Sequence, residues 1–363
     1  MKILALNSSP RGDGQSKTEL MLNALVAGMR EAGAEVTVVS LGKKKVNNCA
    51  GCFSCWTKTP GTCIHKDDMT QELFPKWLES DLVVLASPLY HFTVNAEMKT
   101  FIERTLPVLE PFFLQHNGRT HHPLRGQPPK TVILSVAGLP DESVFDLLSS
   151  WANFIYDGRN PDEKTLVAEI YRPMAEALTI PYFRDIAADI LDATRQAGRE
   201  IASSMHVCEE TMARVKQPMV DDPATFLELG NLTWKTCIAE GITPREFGEK
   251  GVMPRPDSIS SYIELLKLGF NTDATNGLNA KIQFNFTGDI QGYCFLEISE
   301  GLLKAQQGTA NQPDLTVNSP FDMWMDILTG KADGQQTFLD QKYTVEGDLS
   351  LLMQMGQLFG NRV

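Results

Sequence analysis

Four cysteines fall between positions 49 and 63: Cys49-Ala50-Gly51-Cys52-Phe53-Ser54-Cys55, then Cys63, in a C-x2-C-x2-C-x7-C spacing. A compact run of thiolates is what a cubane iron–sulfur cluster requires, because each iron takes one sulfur ligand within a small shell. A closed zinc site more often divides its ligands into two distant C-x2-C pairs. A thiol redox pair needs only one such pair. A cysteine-rich turn that binds nothing is the remaining alternative. Pro60 and Gly61 shape the loop. Cys208, Cys237 and Cys294 are scattered and read as small buried hydrophobes. His65 is a further potential ligand, as are His116, His121 and His122. The last three sit in a proline-rich, basic stretch, 116–130, which reads as a solvated loop.

A second group of residues points to phosphate chemistry. Asn7-Ser8-Ser9-Pro10-Arg11-Gly12-Asp13-Gly14-Gln15-Ser16-Lys17-Thr18 follows an apolar run and enters a helical pattern. Backbone N–H groups at a helix N-terminus attract anions. The hydroxyls of Ser8, Ser9, Ser16 and Thr18 add donors, and Gly12 and Gly14 let the backbone curl. The spacing is neither G-x-x-x-x-G-K-[ST] nor G-x-G-x-x-G. It favours a mononucleotide such as FMN over ATP or a tightly held dinucleotide. A strand-to-helix turn without a ligand is the plain alternative. Further along, Ser87-Pro88-Leu89-Tyr90-His91 ends an apolar run, where an aromatic can cover a flavin ring by stacking. Gly138 ends another and would allow close backbone approach.

The elements that must position these residues alternate. Short runs rich in Val, Ile and Leu at 2–7, 35–40, 81–86, 130–136 and 165–171 predict strands. Helical patterns lie at 16–32, 68–79, 95–106, 142–155 and 183–205. This alternation predicts an α/β domain: a doubly wound, five-stranded parallel sheet of flavodoxin-like type, with ligands at its carboxyl edge. We place that domain at 1–205, a helical connector and linker at 206–255, and a smaller α+β domain at 256–363. In the last, helices are expected at 258–268, 321–328 and after Asp348, and strands at 281–286, 292–298, 314–317 and 341–345.

Composition limits the partners. The 363 residues carry a net charge of −12, so no basic field for nucleic acid is present. No stretch approaches the roughly 18 apolar residues of a membrane span. A cytoplasmic protein is expected, and with it reduced thiols.

Several of these segments occur together in a known family. Ser-Ser-Pro-Arg after the first strand, the cysteine turn, Lys66-Asp67-Asp68-Met69, Ser87-Pro88-Leu89-Tyr90 and Met98-Lys99-Thr100-Phe101-Ile102-Glu103-Arg104 come in the order seen there. The chain resembles the NADPH-dependent FMN reductase family, in particular its iron–sulfur flavoprotein branch. The resemblance covers about the first 110 residues well and extends loosely to about 205. It implies bound FMN, NAD(P)H as donor, a [4Fe–4S] cluster on Cys49, Cys52, Cys55 and Cys63, and a homo-oligomer. It also implies that Ser8, Arg11, Ser16, Lys17 and Thr18 hold the phosphate, and that Pro88, Leu89 and Tyr90 meet the ring and ribityl chain. Ser16-Lys17-Thr18 stands where many relatives have Asn-Thr.

From about Pro256 the chain resembles the sterol carrier protein type-2 domain, on Ile282–Phe286, Asp314-Leu315-Thr316-Val317, Phe321–Leu328, Gly330-Lys331-Ala332 and Tyr343-Thr344-Val345-Glu346-Gly347-Asp348. Such domains enclose an apolar tunnel for lipids. Phe284, Phe286, Phe295, Trp324, Met325, Phe338, Met353, Met355 and Phe359 are candidates to line one, or are plain core.

The leading expectation is a flavin-dependent NAD(P)H oxidoreductase that relays electrons to a small or lipid-like acceptor. One alternative is an electron-transfer flavoprotein between protein partners, with a ferredoxin-type donor. Another is a lipid-binding protein whose first half is structural.

Overall fold

The computed structural model describes residues 1–360 apart from 13, 117, 157–163 and 221. The chain divides into two compact units, Met1–Met219 and Val220–Val363. The expected connector at 206–255 is split between them.

The first unit holds strands β1 (Lys2–Asn7), β2 (Glu35–Ser40), β3 (Leu82–Pro88), β6 (Lys130–Val136) and β7 (Leu166–Arg172). A two-stranded hairpin, β4 (Leu114–His116) and β5 (Arg119–His121), lies between β3 and β6. The main sheet has the order β2-β1-β3-β6-β7 with every pair parallel, the expected doubly wound arrangement. Burial on both faces explains why β3 and most of β6 read as unbroken apolar runs.

The helices are α1 (Lys17–Glu31), α2 (Phe74–Leu78), α3 (Ala96–Glu103), α4 (Asp146–Tyr156), α5 (Arg184–Ser204) and α6 (Glu209–Lys216). On one face Leu4, Leu6, Val83, Leu85 and Ile133 share a core with Phe74, Trp77, Met98, Phe101 and Leu148. On the other, α1 packs against β1, β3 and β6, and against α5. That helix crossing is close. A Cβ on Gly28 would lie 1.8 Å from the Arg195 carbonyl oxygen, and one on Gly198 would lie 2.1 Å from that of Leu25. Two glycines, one per helix, let the backbones touch.

Two expectations need correction here. The helix expected at 68–79 is not uniform: a π-helical turn, Met69–Leu73, leads into α2. Pro75 lacks the N–H that an α-helix needs at that point, and the backbone widens before it. The stretch 116–130, expected as a loop, contributes His116 and β5 to the hairpin. Its prolines, Pro123, Pro128 and Pro129, all lie beyond the paired residues.

The second unit begins with α7 (Pro223–Glu240), α8 (Pro244–Glu249) and α9 (Ile259–Gly269). Strands β8 (Ala280–Thr287), β9 (Gly292–Ser299), β10 (Leu302–Gln307), β11 (Leu315–Pro320) and β12 (Thr344–Gly347) form a mixed sheet in the order β10-β9-β8-β11-β12. Helices α10 (Phe321–Leu328), α11 (Gly334–Leu339) and α12 (Leu349–Phe359) complete the α+β unit. Phe284, Phe286, Trp324, Met325 and Phe359 lie in one buried core with Tyr262 and Phe321, and Phe338 and Met355 pack against it. Phe295 is buried too, whereas Met353 is largely exposed. Two elements escaped the sequence reading, β10 and α11. The last strand also starts later than expected, at Thr344. Residues before it close α11, with Gln341 in the left-handed region at φ 57°.

Candidate functional site

The parallel register brings the carboxyl ends of the central strands level. Asn7 pairs with Ala86, and Ser87 with Ser135, which pairs with Tyr171. The loop after β1 and the loop after β3 therefore leave the sheet side by side.

A buried polar network joins them. The Ser8 N–H and hydroxyl both donate to the Ala86 carbonyl, at 2.9 and 3.2 Å. Asn95, the N-cap of α3, donates through Nδ2 to the Ser8 carbonyl at 2.6 Å. The Ser87 hydroxyl donates to Asn95 Oδ1 at 3.3 Å and accepts from the Asn95 N–H at 3.0 Å. Asn95 was expected only as the start of a helix. It is the residue that ties three segments together.

The β1–α1 loop is curled by its own side chains. Asn7 Oδ1 accepts from the Ser9 N–H, and Ser9 Oγ accepts from the Arg11 N–H. Ser16 caps α1 by accepting from the Glu19 N–H at 3.0 Å. Gly14 has φ +76°, a conformation L side chains rarely adopt. Asp13 lies outside the described residues. The loop's cations meet a carboxylate from far along the chain. Arg11 Nη1 lies 2.7 Å and Lys17 Nζ 3.3 Å from Glu176, which follows β7. Burial alone would raise the Glu176 carboxyl. The hydrogen bond from Arg11 and the charge of Lys17 outweigh it, so the group stays below its ordinary range. An anion thus already sits between the two cations expected to hold phosphate. Sequence separation hid Glu176.

Leu89 donates its N–H to Val136, and Tyr90 and Thr93 exchange backbone hydrogen bonds around His91 and Phe92. His91 and Phe92 both have positive φ, 47° and 64°. Such a turn normally takes Asn or Gly, so this one stores strain beside the segment expected to meet a ring. Tyr90 and Phe92 are about half exposed. Pro88 is the last residue of β3. At Gly138 a Cβ would meet nothing within 4 Å.

The cysteine loop is closed at its neck by a buried ion pair. Asp67 accepts from the Asn47 N–H, Asn47 Nδ2 and the Thr70 N–H, and from Arg104 in a two-pronged pair at 2.7 and 3.0 Å. Both side chains are essentially inaccessible. Burial alone would raise the Asp67 carboxyl; the Arg104 hydrogen bond and the backbone donors hold it far below the usual range. Within the loop Cys55 is buried, Cys49 and Cys63 are partly buried and Cys52 is exposed. Burial pushes the Cys55 thiol up, and Cys63, Cys49 and Cys52 add to that effect as neighbours. Cys55 therefore lies within electrostatic reach of the other three thiols. Among the described residues, no three His, Cys, Asp or Glu side chains form a group able to hold a single metal ion. Arg104 Nε is buried without a hydrogen-bond partner, an unmet donor that a thiolate would satisfy. Four cysteine thiols in one loop are, by chemistry, the donor set of an iron–sulfur cluster.

The histidines are dispersed. His122 donates through Nδ1 to the Phe112 carbonyl at 2.9 Å and packs against Trp56 and Phe113. His65 Nε2 and His121 Nδ1 are buried without partners.

Comparison with known proteins gives a two-part assignment. Residues 1–142 match the family model described as NADPH-dependent FMN reductase, and residues 264–360 match the SCP-2 sterol transfer family. An iron-sulfur flavoprotein of Archaeoglobus fulgidus is 44% identical over 107 residues, which is 30% of this chain and 46% of that protein. The FMN-dependent NADH:quinone oxidoreductase 2 of Pseudomonas aeruginosa is 28% identical over 144 residues, covering 38% of this chain and 70% of that one. The NAD(P)H:quinone oxidoreductase from Methanothermobacter marburgensis overlays with a TM-score of 0.41 at 18% identity, covering 57% of this chain and 99% of that one. The chain spans about half the length of the iron-sulfur flavoproteins it matches. No helix among the described residues is long and apolar enough to cross a membrane.

Proposed function

We propose that this protein is an FMN-dependent oxidoreductase that takes reducing equivalents from NAD(P)H, relays electrons through a [4Fe–4S] cluster on Cys49, Cys52, Cys55 and Cys63, and passes them to a small apolar acceptor of the quinone class. The observation that carries this reading is the meeting, at the carboxyl edge of a parallel sheet, of a curled loop at the α1 N-terminus with the segment after β3 through Ser8, Ser87 and Asn95.

Bound FMN accepts a hydride and gives up electrons singly, which is the chemistry a cluster needs from its partner. The chain's own residues do the rest. Arg11 and Lys17 neutralise the phosphate and exchange Glu176 for it. Ser9 and Ser16 would offer hydroxyls from the same loop, and Thr18 follows, buried in the first turn of α1. Asn95 fixes the distance between the phosphate loop and the segment Pro88–Tyr90, and so sets where the ring lies. Half-exposed Tyr90 would be free to cover a bound ring, and Gly138 would leave room at its edge. Hydride transfer to a flavin needs orientation more than an acid or base, so no side chain is assigned a proton. The C-terminal unit fits a role in holding an apolar acceptor, given its match to a sterol transfer family.

The test is anaerobic purification followed by absorption spectroscopy with FMN, iron and sulfide assays on one sample. One FMN and about four irons per chain, with NAD(P)H oxidation that depends on an added quinone, is the expected result. Flavin without iron reduces the reading to a simple flavin reductase. Protein without flavin overturns it.

A further inference from the structure

The turn that carries Glu176 is fixed to the sheet. After β7 the chain stays paired with the segment beyond β6. The Ala137 N–H donates to the Arg172 carbonyl at 2.9 Å, the Met174 N–H to the Leu139 carbonyl at 2.9 Å, and the Ala175 N–H to the Ala137 carbonyl at 2.8 Å. Met174 then takes the left-handed conformation, φ 51°, without being glycine, and a 3-10 turn, Ala175–Thr179, follows. Ala175 and Ala177, on either side of Glu176, are buried, while Glu176 itself reaches outward to the β1–α1 loop. The backbone, and not a chance surface contact, brings this carboxylate to Arg11 and Lys17. Arg11 is half exposed, but the Lys17 side chain retains only 12% exposure. A cation so far from water needs a counter-charge. Among the described residues Glu176 is the only carboxylate paired with either cation. A phosphate in the loop would supply that counter-charge instead, and two anions on one pair of cations repel each other.

We propose, resting on the FMN reading above, that Glu176 is a tethered competitor for the phosphate site: it raises the concentration at which free phosphate fills the loop, and so holds FMN affinity steady as the phosphate around the protein varies. A group on the same chain competes at an effective concentration that free ions rarely match. Every anion that enters must displace it. Inorganic phosphate has only the loop's own donors and cations to set against that cost. FMN adds the contacts of its ring at Pro88–Tyr90. Release of Glu176 weakens both ligands by the same factor, so the ratio of their affinities is unchanged. The phosphate concentration at which FMN binding begins to suffer rises by that factor. For a half-exposed ion pair it is about fivefold.

The experiment is a titration of the full-length protein, freed of flavin, with FMN at several concentrations of inorganic phosphate and constant ionic strength. Wild type and E176Q are compared by flavin fluorescence, with riboflavin titrated in parallel. In E176Q, inorganic phosphate is expected to compete with FMN at about one-fifth of the concentration that wild type requires. E176Q should therefore bind FMN more tightly than wild type in phosphate-free buffer and lose that advantage as phosphate is added. Riboflavin, with no phosphate to place, should bind both proteins alike. Equal phosphate competition in the two proteins overturns the proposal, and so does weaker FMN binding by E176Q. Should E176Q fail to fold, wild type decides by hydrogen exchange. FMN, but not riboflavin, is expected to speed exchange of the amides at 175–180, because only a phosphate releases Glu176. Equal exchange with the two ligands overturns the proposal. Wild type that binds neither FMN nor riboflavin overturns the cofactor reading and the proposal with it, and the riboflavin arm separates that outcome from a failure at Glu176 alone.

Discussion

The two units bury polarity differently. In the C-terminal unit the core is aromatic, and its polar atoms are matched in place: the Trp324 indole donates to the Tyr262 hydroxyl at 2.9 Å, and Gln283 Nε2 reaches the Phe284 and Cys294 carbonyls. In the N-terminal unit the described residues include buried side-chain atoms with no partner at His65, Arg104, His121, Ser135 and Arg172; in the C-terminal unit only Asn271 is of this kind. Folded proteins rarely leave such groups unmatched without a use. Ser135 lies at the carboxyl edge of the sheet, and Arg104 and His65 lie at the cysteine loop. Among the described residues, the first unit thus leaves more of its buried polar atoms open to an outside partner than the second does.

Substitutions can break this contrast or sharpen it. The largest effect is expected from D67N, which leaves Arg104 buried without its counter-charge and should cost the first unit about 3–5 kcal/mol. The same pair gives a pH dependence. Asp67 has a native pKa well below its unfolded value of about 3.9, so its contribution is complete above that value and is lost as the pH falls toward the native one. Acid denaturation followed by tryptophan fluorescence should show wild type losing stability below about pH 4, and D67N lacking that component. F284A should cost a similar ~3–5 kcal/mol, but in the second unit, with FMN content unchanged. Loss of FMN in F284A would mean the two units are not separable in this sense. G28A forces a methyl into the Arg195 carbonyl and should cost about 1–3 kcal/mol in thermal denaturation of the first unit. The smallest effect is the most specific. E176Q removes the half-exposed carboxylate between Arg11 and Lys17 and should tighten FMN binding by up to about fivefold with riboflavin affinity unchanged. Weaker FMN binding would mean that Glu176 orients the cations instead of occupying their site.

Much of this arrangement is legible in the sequence because it is local. The strands of the first sheet are apolar runs between turn residues, and the phosphate loop is contiguous. Ser16, read as the first helical residue and a phosphate hydroxyl, proves to be the N-cap of α1. What sequence reading misses is mostly distant in the chain. Asn95 reaches Ser8 across 87 residues, Glu176 reaches Arg11 across 165, and Arg104 reaches Asp67 across 37. Spacing patterns carry no information about such pairs. Arg104 and Asp67 were quoted as part of a family likeness, and their joint role at the neck of the cysteine loop shows only in three dimensions. The missed β10 has a different cause. Leu302-Leu303-Lys304-Ala305-Gln306-Gln307 is an edge strand with most side chains in solvent, so it lacks the apolar alternation that reveals strands.

The touching of α1 and α5 has a consequence for how the chain is made. Thr194 on α5 donates to the Met21 sulfur on α1, 173 residues earlier. At synthesis rates of about 5–20 residues per second, the first helix waits on the order of ten seconds or more for its partner to leave the ribosome. Over that interval its face of Met21, Leu22, Leu25, Val26 and Met29, fully covered in the finished unit, lacks the surface it is shaped for. The N-terminal unit thus closes its second layer late, and nascent chains arrested before residue 184 should engage chaperones that chains arrested after residue 219 do not.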